Sequence, residues 1–188
     1  MSPAFIQIIG GNEMRKGLPG LRGTDHIGLT VPNLDGAIAF FCDVIGCELI
    51  YRAGAFSDEG TFMADQLNVH PRSRIRGVAF LRCHNNSNYE LFEYEGPDQA
   101  NAIAKNSDIG GHHLAFYVDD MEKAIAHLRE NNVRLLGKPV VEPEGPDERT
   151  TWLYFLAPWG LQMELMHYPH GKGYEATTRA RLWDPRKT

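Results

Sequence analysis

Residues 24–41, TDHIGLTVPNLDGAIAFF, recur as a pattern at residues 111–128, GHHLAFYVDDMEKAIAHL. No other feature constrains the fold as tightly, because a repeated block predicts a repeated supersecondary unit. Aligning the blocks pairs His26 with His113 and Val31 with Val118, and sets AIAFF over AIAHL. Each block runs in the same order: a histidine, an apolar strand, an acidic turn, an amphipathic helix. The strand expectation rests on Val31, Phe116, Tyr117 and Val118, whose near-continuous apolarity predicts burial on both faces. The helix expectation rests on two stripes, Ile38, Phe41, Val44 and Ile45 in the first block and Met121, Ile125 and Leu128 in the second. Asp119 with Glu122 reads as a capping box, and Gly46 as the C-cap of the first helix.

The repeat extends further. NYELFEYEGP from residue 88 aligns with LQMELMHYPH from residue 161, pairing Glu90 with Glu164 and Tyr94 with Tyr168. Between these ends lie CELIYR and GVAFLRC in the first half, VRLLGKPVV and TTWLYFLAP in the second. Each half therefore predicts a βαβββ module, and the chain an α+β fold of two such modules in tandem. The first half carries a longer connection, AGAFSDEGTFMADQLNVHPRSRIR, whose part around Met63 to Arg76 could form a lid. The expected organisation is an N-terminal extension over 1–22, a first module over 23–97, a linker over 98–110, a second module over 111–169 and a C-terminal tail over 170–188.

Composition narrows the function classes. Apolar residues at 43 % and charged residues at 23 % suit a globular domain. A net charge of −5 without a basic stripe argues against a nucleic-acid partner. No apolar run approaches the roughly 18 residues of a membrane span. The start, MSPAFIQIIGGNEMRKG, lacks a basic segment ahead of its apolar stretch and reads poorly as a secretory leader. Cys42, Cys47 and Cys83 have no metal-motif spacing and read as thiols of a reducing cytoplasm.

The repeat brings two imidazoles and two carboxylates to equivalent positions: His26, Glu90, His113 and Glu164. One histidine at a strand start is usually a satisfied polar residue, and one glutamate on a strand usually faces water. Four matched across a repeat point instead to one divalent metal ion per chain, Fe, Ni, Co, Mn or Zn, with positions left for substrate. Strand parity separates the adjacent histidines, so His113 is the expected ligand and His112 faces away. Glu90 and Glu164 are also the candidate catalytic carboxylates, able to take a proton. Phe80, Arg82 and Tyr154 are expected to line the cup and contact substrate.

DHIGLTVPNLDGAIAFF, GGHHLAFYVDDMEKAIAHLRENNVR, YELFEY and FLAPWGLQMELM together resemble the vicinal oxygen chelate superfamily, over about residues 23 to 169. That superfamily includes lactoylglutathione lyase, methylmalonyl-CoA epimerase, extradiol dioxygenases, fosfomycin resistance enzymes and bleomycin-binding proteins. The resemblance implies a cupped, open barrel of sheet around the metal, a small-molecule substrate and a homodimer. It puts His26, Glu90, His113 and Glu164 at the four metal-facing positions. The reaction it favours is a lyase or isomerase step, in which a carboxylate removes a proton next to a carbonyl and an enolate or oxyanion is stabilised. A second reading is an Fe(II) ring-cleaving dioxygenase, since LYFLAPWGLQME is similar to the later part of the extradiol signature, although EGPDERTT before it holds no histidine. A third is a non-catalytic small-molecule binder of the resistance type.

Overall fold

The computed structural model describes residues 17–84 and 87–187. Residues 1–16, most of the expected N-terminal extension and the apolar stretch weighed as a leader, lie outside the described residues. The first half forms β1 (Ile27–Thr30), α1 (Leu34–Ala39), β2 (Glu48–Ala53), α2 (Phe62–Asp65), β3 (Arg74–Cys83) and β4 (Ser87–Glu95). The second forms β5 (Leu114–Tyr117), α3 (Met121–Glu130), β6 (Arg134–Val141), β7 (Thr151–Leu156) and β8 (Gln162–His167). These make two four-stranded sheets, ordered β1-β4-β3-β2 and β5-β8-β7-β6. In each sheet the first strand runs parallel to the last and the other pairs are antiparallel. The fold is α+β. No strand pairing joins the sheets among the described residues, so they are cupped and not closed.

The helices start and stop for local reasons. Asn33 caps α1, its side chain accepting from Gly36 N at 2.6 Å. Glu93 reaches across from β4 and accepts from Leu34 N at 2.7 Å, filling a second orphan donor at the same helix end. After Ala39 the helix widens into a π-helical turn, Phe40–Ile45, and ends at Gly46, which is left-handed with φ +89° as a C-cap requires. The wider turn lets two successive residues, Phe40 and Phe41, both face the core; the regular stripe predicted from spacing contained only Phe41. At α3 the cap lies one residue later than predicted. Val118 N still donates to Met166 O, so the chain remains extended there. Asp120, not Asp119, is the N-cap and accepts from Lys123 N at 3.0 Å.

One continuous core runs through both modules. Phe41, Phe155, Leu91 and Met163 are fully buried in it. Trp159, in the turn before β8, packs edge-on against Phe40 at 5.6 Å and tilted on Phe41 at 6.2 Å. His127 of α3 donates from Nε2 to Val44 O at 2.9 Å. The modules thus join through their helical layer. The opposite face of each sheet looks outward, and the predicted two-sided burial of β1 and β5 does not hold in the single chain. Leu29, Val31 and Leu114 are buried, whereas Gly28, Thr30 and Ala115 on the other face are exposed.

The cysteines also depart from expectation. Cys47 enters β2 and Cys83 ends β3, just beyond the Glu48–Arg82 pair of the antiparallel ladder, and the two are joined as a disulfide. Cys42 alone is free. A spacing of 36 residues gives no hint of this; only strand register does. The thiol-based argument for a reducing cytoplasm therefore no longer holds. Among the described residues no helix is long and apolar enough to cross a membrane.

Glu93→Ala should lower unfolding free energy by about 1–2 kcal/mol in denaturant titration, since it strips a partner from a buried helix end. Asp120→Ala should lower the melting temperature and Asp119→Ala should leave it nearly unchanged.

Candidate metal centre

The parallel pairings place the site. In the first sheet Gly28 lies beside Glu90, and in the second Ala115 lies beside Glu164. Each histidine sits two residues before that pairing point, so strand alternation puts it on the glutamate's face. The resulting contacts are nearly identical. His26 Nε2 is 3.1 Å from Glu90 Oε2, and His113 Nε2 is 3.2 Å from Glu164 Oε2. Both glutamates are largely withdrawn from solvent, with side chains 19 % and 11 % exposed. His112 faces away, its Nδ1 donating to Gly110 O at 3.2 Å.

Each imidazole is also held from behind. Asp25 Oδ2 accepts from His26 Nδ1 at 2.7 Å, and Asn106 Oδ1 accepts from His113 Nδ1 at 3.0 Å. Asn106 comes back to the site because a tight turn folds 105–111 onto itself; any side chain at Gly111 would run into the Lys105 carbonyl. With the Nδ1 proton committed, Nε2 presents a lone pair to a carboxylate oxygen. That contact repels unless Nε2 is also protonated or a cation lies between. Metal–ligand bonds of about 2.1 Å at a right angle would separate N and O by about 3.0 Å, close to both observed distances. A carboxylate or amide behind a ligating imidazole is the usual supporting partner. Each His–Glu pair therefore fits two donors of a divalent ion.

A third matched pair completes the repeat. Phe80 lies across from Glu90 in the ladder and sets its ring edge-on to His26 at 5.5 Å. Tyr154 lies across from Glu164 and sets its ring edge-on to His113 at 5.2 Å. Arg82, the other expected substrate contact, is tied to Glu48 at 2.7 Å. Arg74 and Arg76 are occupied by Glu95 and Glu93.

The two His–Glu pairs stand apart. Among the described residues no three His, Cys, Asp or Glu side chains come together to hold an ion. One chain thus presents two separate His–Glu pairs, one per sheet. Their electrostatics differ. Burial raises the Glu164 carboxyl above its ordinary value, against the lowering pull of His113 and Lys172. Lys172 is held at 2.9 Å by Asp147 and lies over the Tyr168 ring at 4.9 Å. Asp25 raises His26 above 6.5, and Glu90 adds to that. Burial, and then the Glu90 charge, raise the Tyr94 phenol above its ordinary value.

Sequence reasoning missed Asp25, Asn106 and Lys172. Asp25 precedes the candidate histidine and could have been weighed. Asn106 lies in a polar linker and Lys172 in the tail, where nothing in the pattern marks them.

A family model for the glyoxalase/bleomycin resistance protein/dioxygenase superfamily matches residues 25–167. The chain belongs to that superfamily. It is 42 % identical over 171 residues to a 2-epi-5-epi-valiolone epimerase of Actinomyces sp., covering 90 % of this chain and 92 % of the relative. It is 27 % identical over 128 residues to the mitochondrial methylmalonyl-CoA epimerase of Bos taurus, covering 62 % of this chain and 63 % of that protein. A glyoxalase family protein from Bacillus cereus superposes with a TM-score of 0.62 at 21 % identity, covering 80 % of this chain and 98 % of that one. That last likeness speaks to the superfamily fold.

The His26 imidazole of metal-free protein should titrate above 6.5 by NMR, and Asp25→Asn should bring it down. A raised folded value means that the stability it contributes is present in full below 6.5 and is lost as pH rises through the folded value. Metal-free protein should therefore lose stability through the neutral range, less steeply in Asp25→Asn.

Proposed function

We propose that this protein is a divalent-metal-dependent epimerase of the superfamily, acting at a carbon next to a carbonyl. The matched Nε2···Oε2 contacts, each backed at Nδ1, carry this reading. The epimerase relative at 42 % identity supports the reaction class. His26, Glu90, His113 and Glu164 would hold the ion, which as a Lewis acid would take charge developing on the carbonyl oxygen.

The remaining work falls to the chain. Epimerisation needs a proton removed from one face of the carbon and another returned to the opposite face. Two carboxylates serve this well. Either carboxylate can leave the ion to act as base. One takes the proton as the C–H pair moves toward the carbonyl oxygen, and the other, carrying a proton while off the ion, returns one from the other side. Phe80 and Tyr154 flank the imidazoles and keep water from the carbanionic carbon.

We further propose that the ion sits between two copies of the chain, His26 and Glu90 of one facing His113 and Glu164 of the other. Two donors per half-site are too few for a catalytic ion, which usually takes three or more protein ligands. The outward face of the first sheet also leaves Tyr51 52 % exposed. A homodimer would cover it.

Protein purified without chelator should carry about one divalent ion per chain. His113→Ala and Glu164→Ala should lose it, and His112→Ala should keep it. The loaded protein should exchange substrate hydrogen for solvent deuterium next to a carbonyl. Oxygen uptake with catechols in place of exchange would indicate ring cleavage, and a metal-free, folded wild type would indicate a binder.

A further inference from the structure

We propose that Lys172 is a substrate-binding residue, its ammonium taking an oxygen of the substrate at the end away from the ion. This rests on the metal-dependent reading above and adds a specificity determinant to that site. It holds whether or not a second copy completes the ion's ligands, since Lys172 lies on the sheet face that bears Glu164.

Strand alternation places it there. Beyond Glu164, Met166 and then Tyr168, one residue past the end of β8, fall on the same outward face. On β5, Tyr117 lies beside Met166 and sets its ring edge-on to Tyr168 at 4.9 Å. Tyr168 thus stays against the sheet where the strand ends. Lys172 Nζ lies over its ring at 4.9 Å. Burial raises the Glu164 carboxyl, and against it His113 and then Lys172 pull it down, so the ammonium is within electrostatic reach of the His–Glu pair.

The chain is built closely around this one side chain. Gly171 before it is left-handed, with φ +82°, and Gly173 after it packs so tightly that a Cβ would collide with the Gly145 carbonyl. Glu175 Oε1 accepts from Lys172 N at 3.0 Å, and Tyr174 N donates to Pro146 O at 2.9 Å. The segment HGKGY therefore pins Lys172 between Tyr168 and the β6–β7 connection, leaving its side chain 15 % exposed. Ordering and drying a lysine costs rotamer freedom and hydration. The tail is already fastened by Arg186, which donates to both Asp184 carboxylate oxygens at 2.8 Å and to Tyr168 O at 2.7 Å.

That guanidinium is occupied, whereas the ammonium has a donor to spare. Of its three N–H groups, one goes to Asp147 Oδ1 at 2.9 Å and the Tyr168 ring takes a second. Among the described residues it has no third partner. A buried donor without an acceptor is costly, and a substrate oxygen supplies one. The first sheet has no counterpart. Tyr94 matches Tyr168 in the repeat, yet among the described residues no cation lies over it. There the face is walled by the β2–β3 connection, of which Arg74 to Arg76, expected in a lid, are strand β3. The two sheet faces thus differ, and the ammonium fixes which end of a substrate lies on the second.

The test uses full-length, metal-loaded protein and two probes of equal length, 2-oxopentanoate and 2-oxopentanedioate. Both offer the ion the same adjacent oxygens, and only the second carries an anionic oxygen at its far end. Calorimetry should show the dicarboxylate bound about tenfold more tightly. Lys172→Met, which keeps an apolar stem on Tyr168, should bring the dicarboxylate to the level of the monocarboxylate. It should leave monocarboxylate affinity and metal content unchanged. Lys172→Arg, which keeps a cation, should retain most of the preference. Equal or absent binding of the two acids by wild type, a preference that survives Lys172→Met, or a loss shared by both acids in that variant would overturn the inference. Binding is read without turnover. Loaded protein with the Lys172-dependent preference but no hydrogen exchange would fail as an epimerase and keep this contact, and exchange without the preference would do the reverse.

Discussion

Everything at the site depends on one pairing, made twice: the parallel contact of each module's first strand with its last. It sets Gly28 against Glu90 and Ala115 against Glu164. A slip of one residue would turn either glutamate into the helical core, where an unpaired carboxylate is costly. The apolar residues between prevent that slip. Leu91 and Leu165 occupy the core face next to each glutamate and are buried. Hydrophobic burial thereby fixes a polar site that it does not touch.

The same division explains the shape of the molecule. Helices cover the core face of each sheet, and Trp159 with His127 joins the two helical layers. The faces bearing His26, Glu90, His113 and Glu164 are only partly covered, and both glutamate side chains are at most 19 % exposed. The insertion between β2 and β3 contributes, since it walls one side of the first sheet's face. A chain that invests most of its core on one side of each sheet leaves the other side for polar residues.

The repeat made the strand order, the face of each glutamate and the placing of His113, not His112, beside Glu164 legible, because all follow from repeat alignment and strand alternation. Other features depend on contacts that no local pattern encodes. Glu93 caps α1 from a distant strand, Cys47 meets Cys83 through ladder register, and Asn106 reaches His113 from a linker. The cap at Asp120 was misplaced by one residue because the carboxylates at 119 and 120 look alike in sequence, and only the last strand hydrogen bond decides between them. Trp159, in the turn before β8, joins the modules through Phe40 and Phe41, a contact between distant segments.

The central claim is that two half-sites, one on each sheet, combine into one centre across a pair of chains. Mixing His26→Ala protein with His113→Ala protein, after dissociation and reassembly, tests it most directly. Each variant alone should be inactive and metal-poor. If the centre lies between copies, half of the reassembled pairs hold both variants and each of those regains one intact site, so about a quarter of wild-type metal content and turnover should return. No recovery in a mixture shown to contain mixed dimers would contradict the account.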